Sequence, residues 1–171
     1  MQEFVQNRNV LVKITESDRS FENLKMYRDT SVNYIIMINM LKNKINFGKD
    51  QYSLKIDFAW KDTLTDEKIV SNSIHFEYFS AMFNLGIVYF EMGKAFYFSE
   101  EDLKLKDGVK YFQTAAWIFD RIKEEYQLYV QALNIQPDLQ MSYMSFVINF
   151  FLISFYFLFL SPVYIIHFLI F

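Results

Sequence analysis

All charged side chains of this sequence lie before residue 139. Every Asp, Glu, Lys and Arg of its 171 residues falls between Glu3 and Asp138, and residues 139–171 contain none. A soluble domain needs charged residues on its surface, so only the first part of the chain has the composition of a globular protein. We therefore predict a folded domain that ends near residue 140, followed by an uncharged hydrophobic tail over residues 141–171.

The tail is long and apolar enough to cross a membrane. Residues 144–166 reach the roughly 20 apolar residues that span a bilayer at about 1.5 Å per residue. We expect a helix that breaks at Pro162 and does not complete the core of the domain. Residues 146–171 hold eight Phe but no Ala or Gly, and no Lys or Arg flanks them, unlike most membrane helices. Three interpretations stay open: a transmembrane tail anchor, a truncated or mis-spliced gene product, and a buried core helix.

The composition excludes several kinds of chemistry. There is no Cys, so disulfides and thiolate metal sites cannot form. His75 and His167 lie far apart in the chain without carboxylates at metal-ligand spacing, and four Gly residues form no phosphate-binding loop. The net charge of −3, without a basic cluster, does not indicate a nucleic-acid partner. We predict no enzyme activity, no cofactor, no metal and no small-molecule substrate.

The first part of the domain combines a helix with an extended segment. Residues 1–20 are polar and weakly patterned, which predicts a mobile arm. Ser20 can cap a helix that ends near Asn46 and Gly48. Residues 52–60 alternate between apolar and polar side chains, which predicts a half-buried strand or extended segment.

Two long helices are predicted to follow and to pack antiparallel. The first begins at Ser71 or Ser73 and ends near Tyr97; after a charged turn over residues 99–107, the second runs from about Gly108 to Leu133. The sequence Gln136-Pro137-Asp138 ends it. The string Leu85-Gly86-x-x-Tyr89 fits the first helix of a tetratricopeptide unit. The predicted fold class is therefore mainly α, a tetratricopeptide-like hairpin preceded by a short β segment.

Three motifs follow one another in a fixed order over about residues 26–140. They are Phe58-Ala59-Trp60-Lys61-Asp62, then Glu77 followed seven residues later by Asn84, and then Lys110-Tyr111-Phe112-Gln113-x-Ala115-Ala116-x-x-Phe119. Together they resemble the Bro-one domain family. The resemblance implies the N-terminal part of a curved helical scaffold that is about twice as long as this chain. It also implies protein partners of the endosomal sorting (ESCRT) machinery, and a cytoplasmic, endosome-associated location.

The resemblance stops at about Ser145, before the helices that carry the family's binding patch for ESCRT-III subunits of the Snf7 type. We therefore expect an adaptor fragment that lacks this patch. The alternative is a tail-anchored membrane protein whose cytosolic, tetratricopeptide-like module binds peptides.

The motif residues are expected to be structural. Glu77 and Asn84 lie two turns apart on one helix face, and we expect them to bond to backbone groups or to Lys61 and so hold the strand against the helix. Trp60 is predicted to be a core anchor, as are Tyr111 and Phe112 at helical spacing.

Overall fold

The computed structural model describes residues 2–14, 20–45, 56–61, 68–97 and 102–133. The elements are α1 (Gln2–Ile14), α2 (Phe21–Lys42), β1 (Phe58–Lys61), β2 (Lys68–Ser71), α3 (Ile74–Tyr97) and α4 (Asp102–Leu133). Helix α3 is central: α2 and α4 pack against it, α1 packs on α2, and strand β1 also contacts α3. The fold is thus mainly helical, as predicted.

Helix α2 begins where the sequence predicts. The Ser20 side chain accepts a hydrogen bond from the backbone N–H of Asn23, and Glu22 lies in the first turn, where the helix dipole favours a negative charge. The helix ends with Asn43 as its C-cap, shortly before the predicted end at Asn46 and Gly48, which lies outside the described residues.

Helix α1 corrects the prediction of a mobile arm for residues 1–20. Residues 2–14 are helical, and Phe4 and Leu11 are buried in the core. These two residues are seven apart, so they lie on the same side of a helix. Phe4 stacks on Tyr34 of α2 with ring centroids 4.9 Å apart. Among the side chains of this helix that the structure describes, these two are the buried apolar ones, which is why its sequence shows so little pattern.

The extended segment forms one strand of a hairpin. Strand β1 pairs antiparallel with β2, with Phe58 opposite Ser71 and Trp60 opposite Ile69. Phe58 is fully buried, whereas Val70 points outward. The sequence analysis did not predict β2, because a strand of four residues gives too short an alternation to recognise. Residues 52–55 of the predicted extended run lie outside the described part of the chain.

Helices α3 and α4 form the predicted antiparallel hairpin. Phe79 contacts Tyr126, and Gly86 lies against Phe119, so the two helices run in opposite directions. Gly93 lies against Phe112 in the same way. A Cβ atom at Gly86 would come within 2.7 Å of the Phe119 ring, so these two glycines allow the helices to approach closely.

Helix α4 begins earlier than predicted. Asp102 is its first residue, so most of the predicted charged turn over residues 99–107 is helical. Charged residues such as Lys106 and Asp107 are exposed there, and Lys110 forms an ion pair with Asp107 one turn away. The predicted start at Gly108 was wrong because a charged stretch can be the solvated first turns of a helix.

The helical spacing of apolar residues predicts which side chains of α3 and α4 face inward, and most of these are buried. Those of α3 and α4 that reach the core are Ile74, Phe79, Met82, Leu85, Val88, Met92, Phe112, Ala115, Phe119 and Ile122. Within the ranges that the structure describes, no helix is long and apolar enough to cross a membrane. The tail over 141–171, with its predicted span at 144–166 and its break at Pro162, lies outside those ranges.

Candidate functional site

A buried carboxylate, that of Glu77, is the centre of the candidate site. Glu77 lies in the first turn of α3, on the side that faces α1, α2 and β1, and its side chain has no exposed surface. Burial of an ionised carboxylate is costly unless other groups pair with it. Its surroundings therefore have to supply hydrogen-bond donors.

Three side chains from three different elements donate to Glu77. Its Oε1 atom accepts from Arg8 Nε of α1 at 2.9 Å and from the hydroxyl of Tyr34 in α2. Its Oε2 atom accepts from Trp60 Nε1 of β1 at 2.6 Å. One carboxylate thus joins α1, α2 and β1 to α3, and each of its oxygens is bonded.

The Arg8 guanidinium makes a second set of contacts. Its Nη2 atom donates to the carbonyl oxygen of Ala59 at 2.8 Å, and its Cζ atom lies 5.6 Å from the centre of the Trp60 ring. An arginine can do this because its donors are arranged in a planar fork. Arg8 is only partly exposed, at 21%, so its pairing with Glu77 is less screened than a surface ion pair. Together these contacts tie α1 to the hairpin as well as to α3.

Tyr34 is held in its protonated form. Burial, and then the negative charge of Glu77, raises the pKa of the Tyr34 hydroxyl far above its ordinary range. Tyr34 therefore stays a hydrogen-bond donor at any physiological pH. We call Arg8, Tyr34, Trp60 and Glu77 the carboxylate cluster. It is a charge-paired network in which both carboxylate oxygens are bonded to side-chain donors, so it links the elements that supply these donors.

The residues singled out from the sequence fall into three groups. Phe58, Trp60 and Glu77 come together, and the hydrogen bond from Trp60 to Glu77 joins the strand to the helix. Trp60 was predicted to be a core anchor, but its side chain is only half-buried. Asn84 does not join them: its side-chain amide donates to the carbonyl of Ser80 in its own helix, at 2.8 Å. The Lys61 side chain and all of Asp62 lie outside the described residues.

The residues of the third motif line the seam between α3 and α4. Phe112, Ala115 and Phe119 are buried, while Tyr111 and Ala116 are half-buried. Tyr111 belongs to an aromatic group with Phe21 and Phe96, at centroid distances of 6.2 and 5.6 Å. Phe112 is therefore in the core as predicted, whereas Tyr111, also predicted to be a core anchor, is only half-buried.

Sequence reasoning missed two members of the carboxylate cluster, Arg8 and Tyr34. Arg8 lies between Phe4 and Leu11 in the spacing i, i+4, i+7, which is a helical pattern and was the available signal. Tyr34 was expected to face inward, but nothing in its neighbourhood along the chain points to a carboxylate 43 residues away.

No metal centre is found in the described ranges, since they hold no group of three or more His, Asp or Glu residues placed to bind one ion. His75 instead stacks on the ring of Tyr129, with centroids 4.3 Å apart. Burial, and then the charge of Lys42, lowers the pKa of His75.

Comparison with known proteins extends the motif-based resemblance. The vacuolar protein-sorting protein BRO1 of Yarrowia lipolytica is 29% identical over 99 residues, which cover 58% of this chain and 11% of that protein. The chain therefore corresponds to a small part of a much longer relative. The model of the BRO1-like domain matches residues 1–154, a range that includes α1 and reaches into the segment 141–171. The chain belongs to the BRO1-like domain family.

Proposed function

We propose that this chain is a non-enzymatic helical adaptor of endosomal and vacuolar protein sorting. The family match over residues 1–154 is the observation that carries the proposal. The name of the yeast relative, a vacuolar protein-sorting protein, supports the same process. Because the chain covers 11% of that relative, the particular partners of the relative are not carried over.

The carboxylate cluster supports a scaffold rather than a catalyst. Glu77 is the one strongly buried carboxylate among the described residues, and three donors from three elements occupy it. Such an arrangement fixes the relative positions of helices, which an adaptor needs in order to present a rigid binding surface. We expect the protein to act in the cytoplasm at the endosomal surface, with other sorting proteins as partners.

A cargo-delivery assay tests the proposal. The gene is deleted in its host, and a fluorescent membrane protein destined for the vacuole or lysosome is followed by microscopy. We expect the cargo to remain on the limiting membrane, and reintroduction of the wild-type chain to restore delivery into the lumen. The matched variants are Glu77→Ala, which should fail, and Glu124→Ala on the exposed side of α4, which should succeed. Normal delivery after the deletion would refute a sorting role.

A finer part of the proposal concerns ESCRT-III. By resemblance, the family's patch for Snf7-type subunits lies on helices that follow the three motifs, so we expect this 171-residue chain not to bind a Snf7-type C-terminal helix. Isothermal titration with such a peptide is the measurement. Micromolar affinity would mean that residues of the present chain form the binding site.

The uncharged segment after Asp138 favours a second candidate, a tail-anchored protein with a peptide-binding cytosolic module. We expect the full chain to partition into membranes or to aggregate, and the chain cut at about Asp138 to be soluble but marginally folded. Carbonate extraction of cell membranes separates an anchored protein, which stays in the membrane fraction, from a peripheral one. A soluble, monomeric full-length chain would contradict this candidate.

A further inference from the structure

The outer face of α2 is unusually apolar for a surface. Met26, Ile36 and Met40 are 50%, 53% and 54% exposed, although the opposite face of the same helix is buried against α3 and α1. A helix that is apolar on both faces is typical of one buried on both sides. Methionine is also common at protein-binding surfaces, because its flexible thioether adapts to a partner. The outer face of α2 therefore has the character of an interface.

The residues of this face are arranged symmetrically about Asn33. Met26 lies seven residues before Asn33 and Met40 seven residues after it, so all three share one side of the helix. Glu22 and Lys44 lie eleven residues on either side of Asn33, Glu22 in the first turn of α2 and Lys44 in the turn that directly follows the helix, and both are exposed. We call Glu22, Met26, Asn33, Ile36, Met40 and Lys44 the α2 stripe.

This symmetry makes the α2 stripe complementary to a second copy of itself. If two copies of α2 pack antiparallel with their Asn33 residues opposite each other, Met26 of each copy lies opposite Met40 of the other. Glu22 of each copy then lies opposite Lys44 of the other, which gives two intermolecular pairs of opposite charge. Parallel packing would place Glu22 against Glu22, so the charges favour the antiparallel arrangement.

Asn33 suits the centre of such a pair. An asparagine side chain both donates and accepts, so two copies facing each other across a two-fold axis satisfy one another. A central asparagine between apolar positions fixes the register of paired helices, because any shifted register leaves it buried and unpaired. The stripe is about 33 Å long at about 1.5 Å per residue, which provides a contact several turns in length.

We propose that the α2 stripe is a homodimer interface, in which two copies of this chain pack α2 antiparallel about Asn33. The contact is isologous, so each residue of the stripe is used by both copies. It is separate from the sorting function proposed above and does not depend on it. Asp29 lies one turn before Asn33 on the same side of the helix, and its charge there is paired with that of Arg28 at 2.8 Å.

Disulfide trapping tests the geometry directly, because the chain contains no Cys. Asn33→Cys is expressed in the full chain in cells and oxidised with diamide, with Val70→Cys and Leu128→Cys as controls at similarly exposed apolar positions on other elements. Two cysteines on the two-fold axis can approach to the Cα separation of about 4.4–6.8 Å that a disulfide needs. We expect at least about tenfold more covalent dimer from Asn33→Cys than from either control, which corresponds to about 1.4 kcal/mol. Equal dimer from all three variants, or none from Asn33→Cys, would overturn the proposal.

Charge reversal distinguishes self-association from binding of a foreign partner. With two differently tagged copies, Glu22→Lys and Lys44→Glu should each reduce co-purification, and the double variant should restore it, because only in a homodimer do both residues belong to one pair. Ile36→Glu should abolish it, whereas Val70→Glu, an equally exposed apolar position on β2, should not. Loss in the double variant would show that another protein, or another segment of this chain, covers the stripe.

Discussion

The two sides of α3 are held by opposite kinds of interaction. Toward α4, the seam is apolar and depends on close approach, with Gly86 and Gly93 against aromatic rings. Toward α1, α2 and β1, the contact is centred on a charge, the Glu77 carboxylate with its three donors. Overpacking of an apolar seam costs about 1–3 kcal/mol, whereas removal of one partner of a buried charge pair costs about 3–5 kcal/mol. We therefore expect mutations on the two sides to differ in how much stability they remove and in which elements they loosen from α3.

Removal of the buried charge should have the largest effect. Glu77→Ala leaves Arg8, Tyr34 and Trp60 without their acceptor, and the loss of one partner of a buried charged network costs about 3–5 kcal/mol. Urea denaturation measures this. Glu124→Ala, at an exposed glutamate on α4, should change the free energy of unfolding by no more than about 0.5 kcal/mol. Equal effects at the two positions would mean that the cluster contributes nothing beyond a surface ion pair.

Mutation of Trp60 should have the second largest effect on stability. Trp60→Ala removes a large, half-buried ring and its hydrogen bond, with an expected loss of about 3 kcal/mol. Trp60→Phe keeps an aromatic ring and loses only the N–H donor. The expected loss of stability is therefore smaller, about 1.5–2 kcal/mol, as for a hydrogen bond to a charged group. Denaturation curves of both variants separate packing from hydrogen bonding. A loss of stability below 1 kcal/mol in Trp60→Ala would mean that the contact of β1 with Glu77 does not stabilise the fold.

The apolar seam should respond more moderately. In an exposed helix, Gly→Ala is stabilising by about 1 kcal/mol. At Gly86 the new Cβ would lie 2.7 Å from the Phe119 ring, so Gly86→Ala should instead destabilise by about 1–3 kcal/mol. The variant Gly86→Ala with Phe119→Leu should be less destabilised than the sum of its two single changes, since the smaller side chain makes room. Strict additivity would contradict the close contact.

The smallest effect should be a pH dependence at His75. Burial lowers its pKa in the folded protein, so the unfolded chain takes up a proton more readily. Stability should therefore fall as the pH drops below the ordinary histidine value of about 6.5. His75→Gln should flatten this part of the pH profile, measured by urea melts between about pH 8 and pH 5. Tyr129 stacks on the His75 ring, and the charge of Lys42 acts on it. A profile unchanged in the variant would show that other groups cause the dependence.

The same contrast explains what the sequence could predict. The spacing of large apolar side chains predicts helices α2, α3 and α4. The same spacing predicts that Phe112, Ala115 and Phe119 line the seam between α3 and α4. Trp60 and Glu77 could be selected through the family resemblance, but their bond to each other could not be derived from local pattern.

Helix α1 and strand β2 were not predicted from the spacing of apolar residues, for a physical cause. Two buried apolar residues, Phe4 and Leu11, help to secure α1, and Arg8 adds an ion pair to a residue 69 positions away and a hydrogen bond to the carbonyl of Ala59. Interactions of that kind depend on how four elements meet in three dimensions, which periodicity along the chain does not encode. The start of α4 at Asp102 was missed because its charged residues were taken to indicate a turn, although charged residues such as Lys and Glu also form helices readily.

Hydrogen exchange of the α1 amides, in the wild-type chain and in Glu77→Gln, tests most directly whether the carboxylate cluster holds α1 and the hairpin on α3. Glutamine keeps the shape of the side chain but removes the charge that pairs with Arg8. We predict that the amides of α1 and β1 exchange at least about tenfold faster in the variant, which corresponds to about 1.4 kcal/mol of lost local stability, while those in the middle of α4 are unchanged. Unchanged exchange in α1, or an equal increase in α1 and α4, would contradict this account.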